Sequence, residues 1–301
     1  MKLEWTGVIP AITTPFNADL RIDHAFLAEH AAWLVESGAT GLVPCGSLGE
    51  GSTLSGTERR QVIETCVRAV GDLVPVVPGI AALSTADAVQ MARDAASLGC
   101  RGLMVLPPYA YSTDWREMKA HVVAVLKATE LPCLLYNNPV AYKTDFLPEQ
   151  IAELAREHEN LEAVKESTTD VRRVMAIRAL VGDRPKVLLG VDDAIVEGLQ
   201  AGAVGWIAGL VNAFPVESIA LCRYVLEGRT REALDLYRWF LPLLRMDTVP
   251  KFVQLIKLVQ EKVGRGSARV RPPRLPLEGG ELRAAVATID HALATRPHIG
   301  A

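Results

Sequence analysis

Leu161-Glu162-Ala163-Val164-Lys165-Glu166-Ser167 is a short apolar run that ends on a lysine and passes at once into helix-starting residues. Burial at the C-terminal end of a strand disfavours an ammonium charge, so the pKa of such a lysine falls and its amine becomes a usable nucleophile. That is the chemistry of a Schiff-base enzyme. The stretch also suits a lysine that snorkels out of an ordinary strand, or one that pairs with Glu166. The rest of the chain decides between these readings, because this run is one of eight.

The runs, rich in Val, Ile and Leu, are Val8 to Ile12, Gly41 to Cys45, Pro75 to Ile80, Gly102 to Leu106, Cys133 to Tyr136, Glu162 to Lys165, Val187 to Val191 and Val204 to Ala208. They are apolar on both faces rather than alternating, as strands buried in a parallel sheet are. Amphipathic segments lie between them, with starts at Asp23, at Ser55 with Glu58, at Ser84 with Asp87, at Thr113-Asp114 and at Thr169-Asp170. Several end on glycine, at Gly38, Gly71, Gly99 and Gly182. Strand and helix repeated eight times, at about thirty residues per unit, predict an α/β fold of the (β/α)8 TIM barrel type. A doubly wound open sheet is the alternative, disfavoured by strand count and chain length.

From Phe214 onward the pattern is helical, over Val216 to Leu226, Arg231 to Arg245, Val249 to Val263 and Gly280 to Ala294. Arg271-Pro272-Pro273-Arg274-Leu275-Pro276 reads as an extended connection. Residues 1–213 are therefore expected to carry the barrel strands and helices, and residues 214–301 the last barrel helix and a C-terminal helical extension.

The 301 residues are half hydrophobic, enough to bury a large core, and a formal charge of −3 gives no electrostatic case for nucleic acid or an anionic membrane. The cysteines, Cys45, Cys66, Cys100, Cys133 and Cys222, are odd in number and widely spaced, as reduced core residues of a cytosolic protein are. No zinc-type spacing, HExxH or paired histidine occurs, so no metal or cofactor is expected. Met1-Lys2-Leu3-Glu4-Trp5 has no hydrophobic signal core, and no apolar stretch is both long and uncharged enough to span a bilayer. A soluble, cytoplasmic protein is expected. The surplus helices suit either a homo-oligomer or a cap packed on its own barrel.

Active sites of such barrels lie at the C-terminal ends of the strands. The second run ends in Gly46-Ser47-Leu48-Gly49-Glu50-Gly51, a turn whose backbone N–H groups and hydroxyl suit a carboxylate. It lacks the Lys-Ser or Lys-Thr of a P-loop and the spacing of a dinucleotide fingerprint, and it also reads as an ordinary βα turn. The fifth run ends in Tyr136-Asn137-Asn138-Pro139, placing a phenol at the mouth, and the seventh in Gly190-Val191-Asp192-Asp193. Those carboxylates suit a metal, substrate hydroxyls or capping of the next helix, with capping the default for Asp193. An anion cradle, a phenol and an isolated lysine together are the parts needed to form and hydrolyse an imine with a 2-oxo acid.

These residues resemble the pyruvate-type class I lyases and aldolases that include dihydrodipicolinate synthase and N-acetylneuraminate lyase. The likeness runs from Gly7-Val8-Ile9-Pro10-Ala11-Ile12-Thr13-Thr14-Pro15-Phe16 through the G-x-x-G-E turn, Tyr136-Asn137-x-Pro139 and Val164-Lys165-Glu166-Ser167 to the helical tail. It implies a TIM barrel, usually in a tetramer with a dimer as the alternative, acting on a small 2-oxo acid or cyclic imino acid. Lys165 would be the Schiff-base residue, Tyr136 the proton relay, and the Ser47-Leu48 turn the carboxylate holder. Contacts to substrate are expected from Gly46, Ser47, Leu48, Asn138, Gly190, Asp192, Trp206 and Ile207.

Three departures argue against the synthase itself. Its two turn threonines are Ser47 and Leu48 here, the tyrosine it lends to a neighbouring subunit falls at Ala110 beside Tyr111, and its aldehyde-binding arginine falls near Ala141. Against a sialic-acid lyase, Trp206 stands where a small hydroxyl residue is usual, and an inward indole would shorten the pocket. The likeness is greater to the 1-pyrroline-4-hydroxy-2-carboxylate deaminases. It is carried by Tyr136-Asn137-Asn138-Pro139-Val140-Ala141-Tyr142, by Lys165-Glu166-Ser167 with Asp170-Val171-Arg172-Arg173, by Gly190-Val191-Asp192-Asp193, by Gly205-Trp206 with Gly209 to Pro215 and by Tyr237-Arg238-Trp239. It implies dehydration and deamination to 2-oxoglutarate semialdehyde. An aldolase releasing pyruvate from a short 4-hydroxy-2-oxo acid is the second expectation, and a non-catalytic binding barrel the third.

Overall fold

A computed structural model describes residues 3–108 and 114–299. The positions compared above with a tyrosine lent between subunits, Ala110 and Tyr111, lie outside the described residues, as does the helix start read at Thr113. The chain begins with β1 (Gly7–Pro10), α1 (His24–Glu36), α2 (Gly56–Val70), β2 (Gly79–Ile80), α3 (Thr85–Ser97), β3 (Leu103–Val105) and α4 (Trp115–Leu126). It continues with β4 (Cys133–Asn137), α5 (Pro139–Tyr142), α6 (Pro148–Glu157), β5 (Leu161–Glu166), α7 (Arg172–Val181), β6 (Lys186–Leu189), α8 (Ile195–Gln200) and β7 (Gly205–Ala208). Four further helices follow: α9 (Pro215–Leu226), α10 (Thr230–Leu244), α11 (Phe252–Lys262) and α12 (Gly279–Ala294).

The strands form one parallel sheet in the order β1-β7-β6-β5-β4-β3-β2, which curls until its two edges face each other. The run Gly41 to Cys45 fills that gap as the eighth stave. Val43 N–H donates to the Pro10 carbonyl at 2.8 Å on one side, and Leu42 N–H to the Pro75 carbonyl at 2.9 Å on the other. Only isolated bridges form there, Ala11 with Val43 and Leu42 with Val76, although the sequence reads as a full strand. Pro44, Pro75 and Pro78 supply no N–H to a ladder, and Cys45 turns the chain away at φ 59°. The fold is a (β/α)8 barrel with a C-terminal helical part.

Local chemistry starts the helices where the sequence indicates. Asp23 accepts from Phe26 N–H at 3.0 Å, Ser55 and Glu58 complete a capping box, and Asp114 accepts from Glu117 N–H at 3.0 Å. At Thr169-Asp170 the helix α7 begins at Arg172, whose N–H donates to Asp170 Oδ1 at 3.1 Å, with Val171 between them. Helix α10 packs on α9 and α12, with Phe214, Trp239 and Phe240 stacked or edge-on at 5.2–5.8 Å. Among the described residues no helix is long and apolar enough to cross a membrane.

The C-terminal helices do more than cover one side. From α11, Lys257 donates to Glu50 Oε1 at 2.6 Å and to the Arg269 carbonyl at 2.6 Å, while Arg271 N–H donates to Glu50 Oε2 at 3.0 Å. Both charged side chains are almost fully buried. The clamp ties the Ser47 turn to the tail. Removing one partner of such a pair strands the other charge away from water. Lys257→Met is expected to lower stability by about 3–5 kcal/mol, measured as a fall in the urea midpoint; an unchanged midpoint would show that the clamp contributes nothing.

Candidate functional site

The C-terminal strand ends open into a cavity of about 540 Å³. Strand register brings its central pair together, because Tyr136 on β4 and Lys165 on β5 are cross-strand partners. The Lys165 amine lies 4.2 Å from the centre of the Tyr136 ring, a cation–π contact inside the barrel. Side chains alternate along a strand, so Glu166 faces away. There it accepts from Thr168 N–H at 2.8 Å and Asn137 Nδ2 at 3.2 Å, and is not the partner of Lys165.

Burial lowers the Lys165 pKa to about 8, against a smaller upward pull from Asp247 and Asp192. Burial also pushes Tyr136 up to about 12, so its hydroxyl is a proton holder at neutral pH, and it accepts from Asn138 Nδ2 at 3.0 Å. Gly190 leaves room for the lysine stem: a Cβ there would sit 2.3 Å from Lys165 Cε. Ser167 Oγ is buried nearby, beside the Tyr136 hydroxyl.

The turn after the second stave faces the lysine across the cavity. Its Ser47 hydroxyl is hydrogen-bonded to the Tyr142 hydroxyl, and the Tyr142 ring packs edge-on to Tyr136 at 5.8 Å. The Ser47 and Leu48 N–H groups donate to no other described residue, leaving two backbone donors for an anion. Glu50, in a left-handed conformation at φ 54°, fixes the turn through its clamp to Lys257.

Gly46, Ser47, Leu48, Tyr136, Asn138, Lys165, Gly190 and Ile207 all line this one cavity. Asp192 and Trp206, expected to touch substrate, are fully buried behind its wall. The reason is that they satisfy each other: Asp192 accepts from Trp206 Nε1 at 2.9 Å, from Gly209 N–H at 3.1 Å and from Leu210 N–H at 2.8 Å. The indole therefore does not shorten the pocket by pointing inward. Burial nonetheless raises the Asp192 carboxyl to about 6.

The helical tail also lines the cavity, from Asp247 to Pro250 and at Phe252 and Arg274, and it supplies two charged side chains that the sequence did not mark. Asp247 follows α10, and Arg274 lies in the Pro-Pro segment that reads only as a connection. Among the described lining residues Asp247 is the carboxylate, and Lys165 and Arg274 are the cations. Neither residue is marked by periodicity or a motif. No cluster of three or more His, Cys, Asp or Glu side chains among the described residues could hold a metal ion.

The Lys165 side chain should react as a neutral amine over an unusual range. The rate of its labelling by an amine-specific reagent should rise with pH, reach half its maximum at a pH of about 8 and level off above it; a midpoint in the ordinary lysine range would contradict the burial described.

Residues 4–292 match the model of the dihydrodipicolinate synthetase family. The chain is 35% identical over 275 residues to a 4-hydroxy-tetrahydrodipicolinate synthase of Geotalea daltonii, covering 90% of this chain and 93% of that protein. It is 31% identical to a putative dihydrodipicolinate synthetase of Pseudomonas aeruginosa, at a TM-score of 0.91 over 96% of this chain and 99% of the other. A prophage protein of E. coli K12 from the dihydrodipicolinic acid synthase family, solved in complex with pyruvate, superposes at 0.90 with 26% identity, covering 96% and 99% of the two chains.

Proposed function

The chain belongs to the dihydrodipicolinate synthetase family of lysine Schiff-base lyases, and from that premise we propose that it converts 1-pyrroline-4-hydroxy-2-carboxylate to 2-oxoglutarate semialdehyde and ammonia. The observation that carries this reading is the composition of the turn and the facing loop. One hydroxyl and two N–H groups without an acceptor among the described residues, at Ser47 and Leu48, suit one carboxylate, while Leu48 and Ala141 add apolar lining. A five-membered ring with a single carboxylate matches that distribution.

In this reading the neutral Lys165 amine adds to C2 of the cyclic imine, and the C2–N bond to the ring nitrogen breaks, leaving an imine on Lys165 and a free amine at C5. The imine acidifies the C3 hydrogens, so the hydroxyl at C4 leaves as water. Tautomerisation gives an imine at C5. Hydrolysis there releases ammonia, and hydrolysis at C2 frees the lysine, for a net consumption of one water. Tyr136, protonated and held by Asn138, carries protons between nitrogen, oxygen and water.

A second reading has its own observation. Arg274 lines the cavity with its guanidinium 3.9 Å from Glu50, and a cation there would receive a second carboxylate in place of the arginine missing at Ala141, which favours a synthase condensing pyruvate with an acidic aldehyde. Release of pyruvate from a short 4-hydroxy-2-oxo acid uses the same lysine. We place the protein in the cytoplasm, where five buried, unpaired cysteines are stable. We assign it to a homo-oligomer, a tetramer or dimer, in which exposed Leu83, Val216 and Leu226 would be covered.

Purified protein is expected to release ammonia from 1-pyrroline-4-hydroxy-2-carboxylate, and Lys165→Ala to abolish release. No ammonia from folded wild type, with pyruvate consumed in the presence of aspartate semialdehyde, would favour the synthase instead.

A further inference from the structure

Imine formation leaves one proton without an evident carrier, the one removed from C3. Tyr136 keeps its proton and so can donate one but is no base for a carbon acid, and the Ser47 hydroxyl is bonded to Tyr142. Asp192 lies behind the wall with both oxygens occupied by N–H donors. Asp247 differs from all of these. It enters from the turn after α10, its Oδ1 lies so near Gly209 that a Cβ there would be 2.1 Å away, and its carboxylate accepts no hydrogen bond among the described residues. It is also near enough to Lys165 to affect the charge on the amine, without forming a direct ion pair.

We propose that Asp247 is the catalytic acid–base of this site, the group that removes the C3 proton of the lysine-bound imine and returns a proton to the departing C4 hydroxyl. The assignment rests on the Schiff-base reading and names the base within it. The C3–H electron pair moves toward the protonated imine to form an enamine, and the proton passes to a carboxylate oxygen of Asp247. As the enamine electrons return, the C4–O bond breaks and the same proton leaves on oxygen as water. No other reactant is needed.

Electrostatics fit this cycle. Burial and the neighbouring Asp192 raise the Asp247 carboxyl well above its ordinary range, while a positive charge at Lys165 lowers it. A protonated imine keeps a positive charge at that nitrogen, so the carboxylate is favoured at the stage when a base is required. The tail is thereby part of the reaction centre, since the barrel strand ends contribute no carboxylate to the described cavity lining.

Exchange of pyruvate methyl hydrogens for solvent deuterium, followed by NMR, reads the C3 step without the full reaction. Asp247→Ala and Asp247→Asn should each slow exchange by about 100-fold or more, and added formate should restore exchange to Asp247→Ala in a saturable manner. A purely structural aspartate would not be replaced by a free carboxylate. Exchange within threefold of wild type in both variants, or a loss that formate leaves untouched, would overturn the assignment. If wild type and Lys165→Ala both fail to exchange, the imine reading itself falls, and the role of Asp247 with it.

Discussion

The site depends on the cost of burying the Lys165 ammonium. The strand end carries the amine over the Tyr136 ring, into a space where neither Asp192 nor Asp247 forms a direct ion pair with it. A close carboxylate would hold the proton on and make a salt bridge, whereas full removal of negative charge would favour the neutral form still more. The intermediate arrangement gives a pKa of about 8, with the neutral form accessible near physiological pH. Gly190 maintains it sterically, because any Cβ would occupy the space of the lysine stem.

A second constraint places the anion cradle opposite this amine. Within the turn from Gly46 to Gly51, Glu50 is buried and held by Lys257 and the Arg271 backbone, and Thr14 donates to the Gly49 carbonyl. The charge pair is buried, so its value lies less in net stability than in geometry, since any displacement leaves an unpaired charge. It joins residues more than two hundred positions apart and fixes the turn against the helical tail. The same tail brings Asp247 and Arg274 to the mouth.

Much of the barrel is legible in residue pattern because its determinants are local. Doubly apolar runs such as Leu161 to Val164 have few stable places outside a parallel sheet, and Ser55 with Glu58 marks a helix start by direct hydrogen bonds. The eighth stave, Gly41 to Cys45, is visible as an apolar run, but its weak ladder follows from prolines on two chains whose register appears only on closure. Lys165, Tyr136 and Ser47 could be picked out because strand ends converge in this architecture. Trp206 and Asp192 could not be oriented in the same way: they satisfy each other's polar atoms behind the wall, a pairing set by tertiary contact. Asp247 and Arg274 carry no local signature, and their approach depends on how α10 and α11 fold back over the barrel.

The most direct measurement is borohydride reduction in the presence of pyruvate, followed by peptide mass mapping. Reduction of an imine on the buried amine should leave a single carboxyethyl adduct on Lys165. An adduct confined to another lysine, or none on folded protein saturated with pyruvate, would contradict the role of Lys165 as the nucleophile around which this site is built.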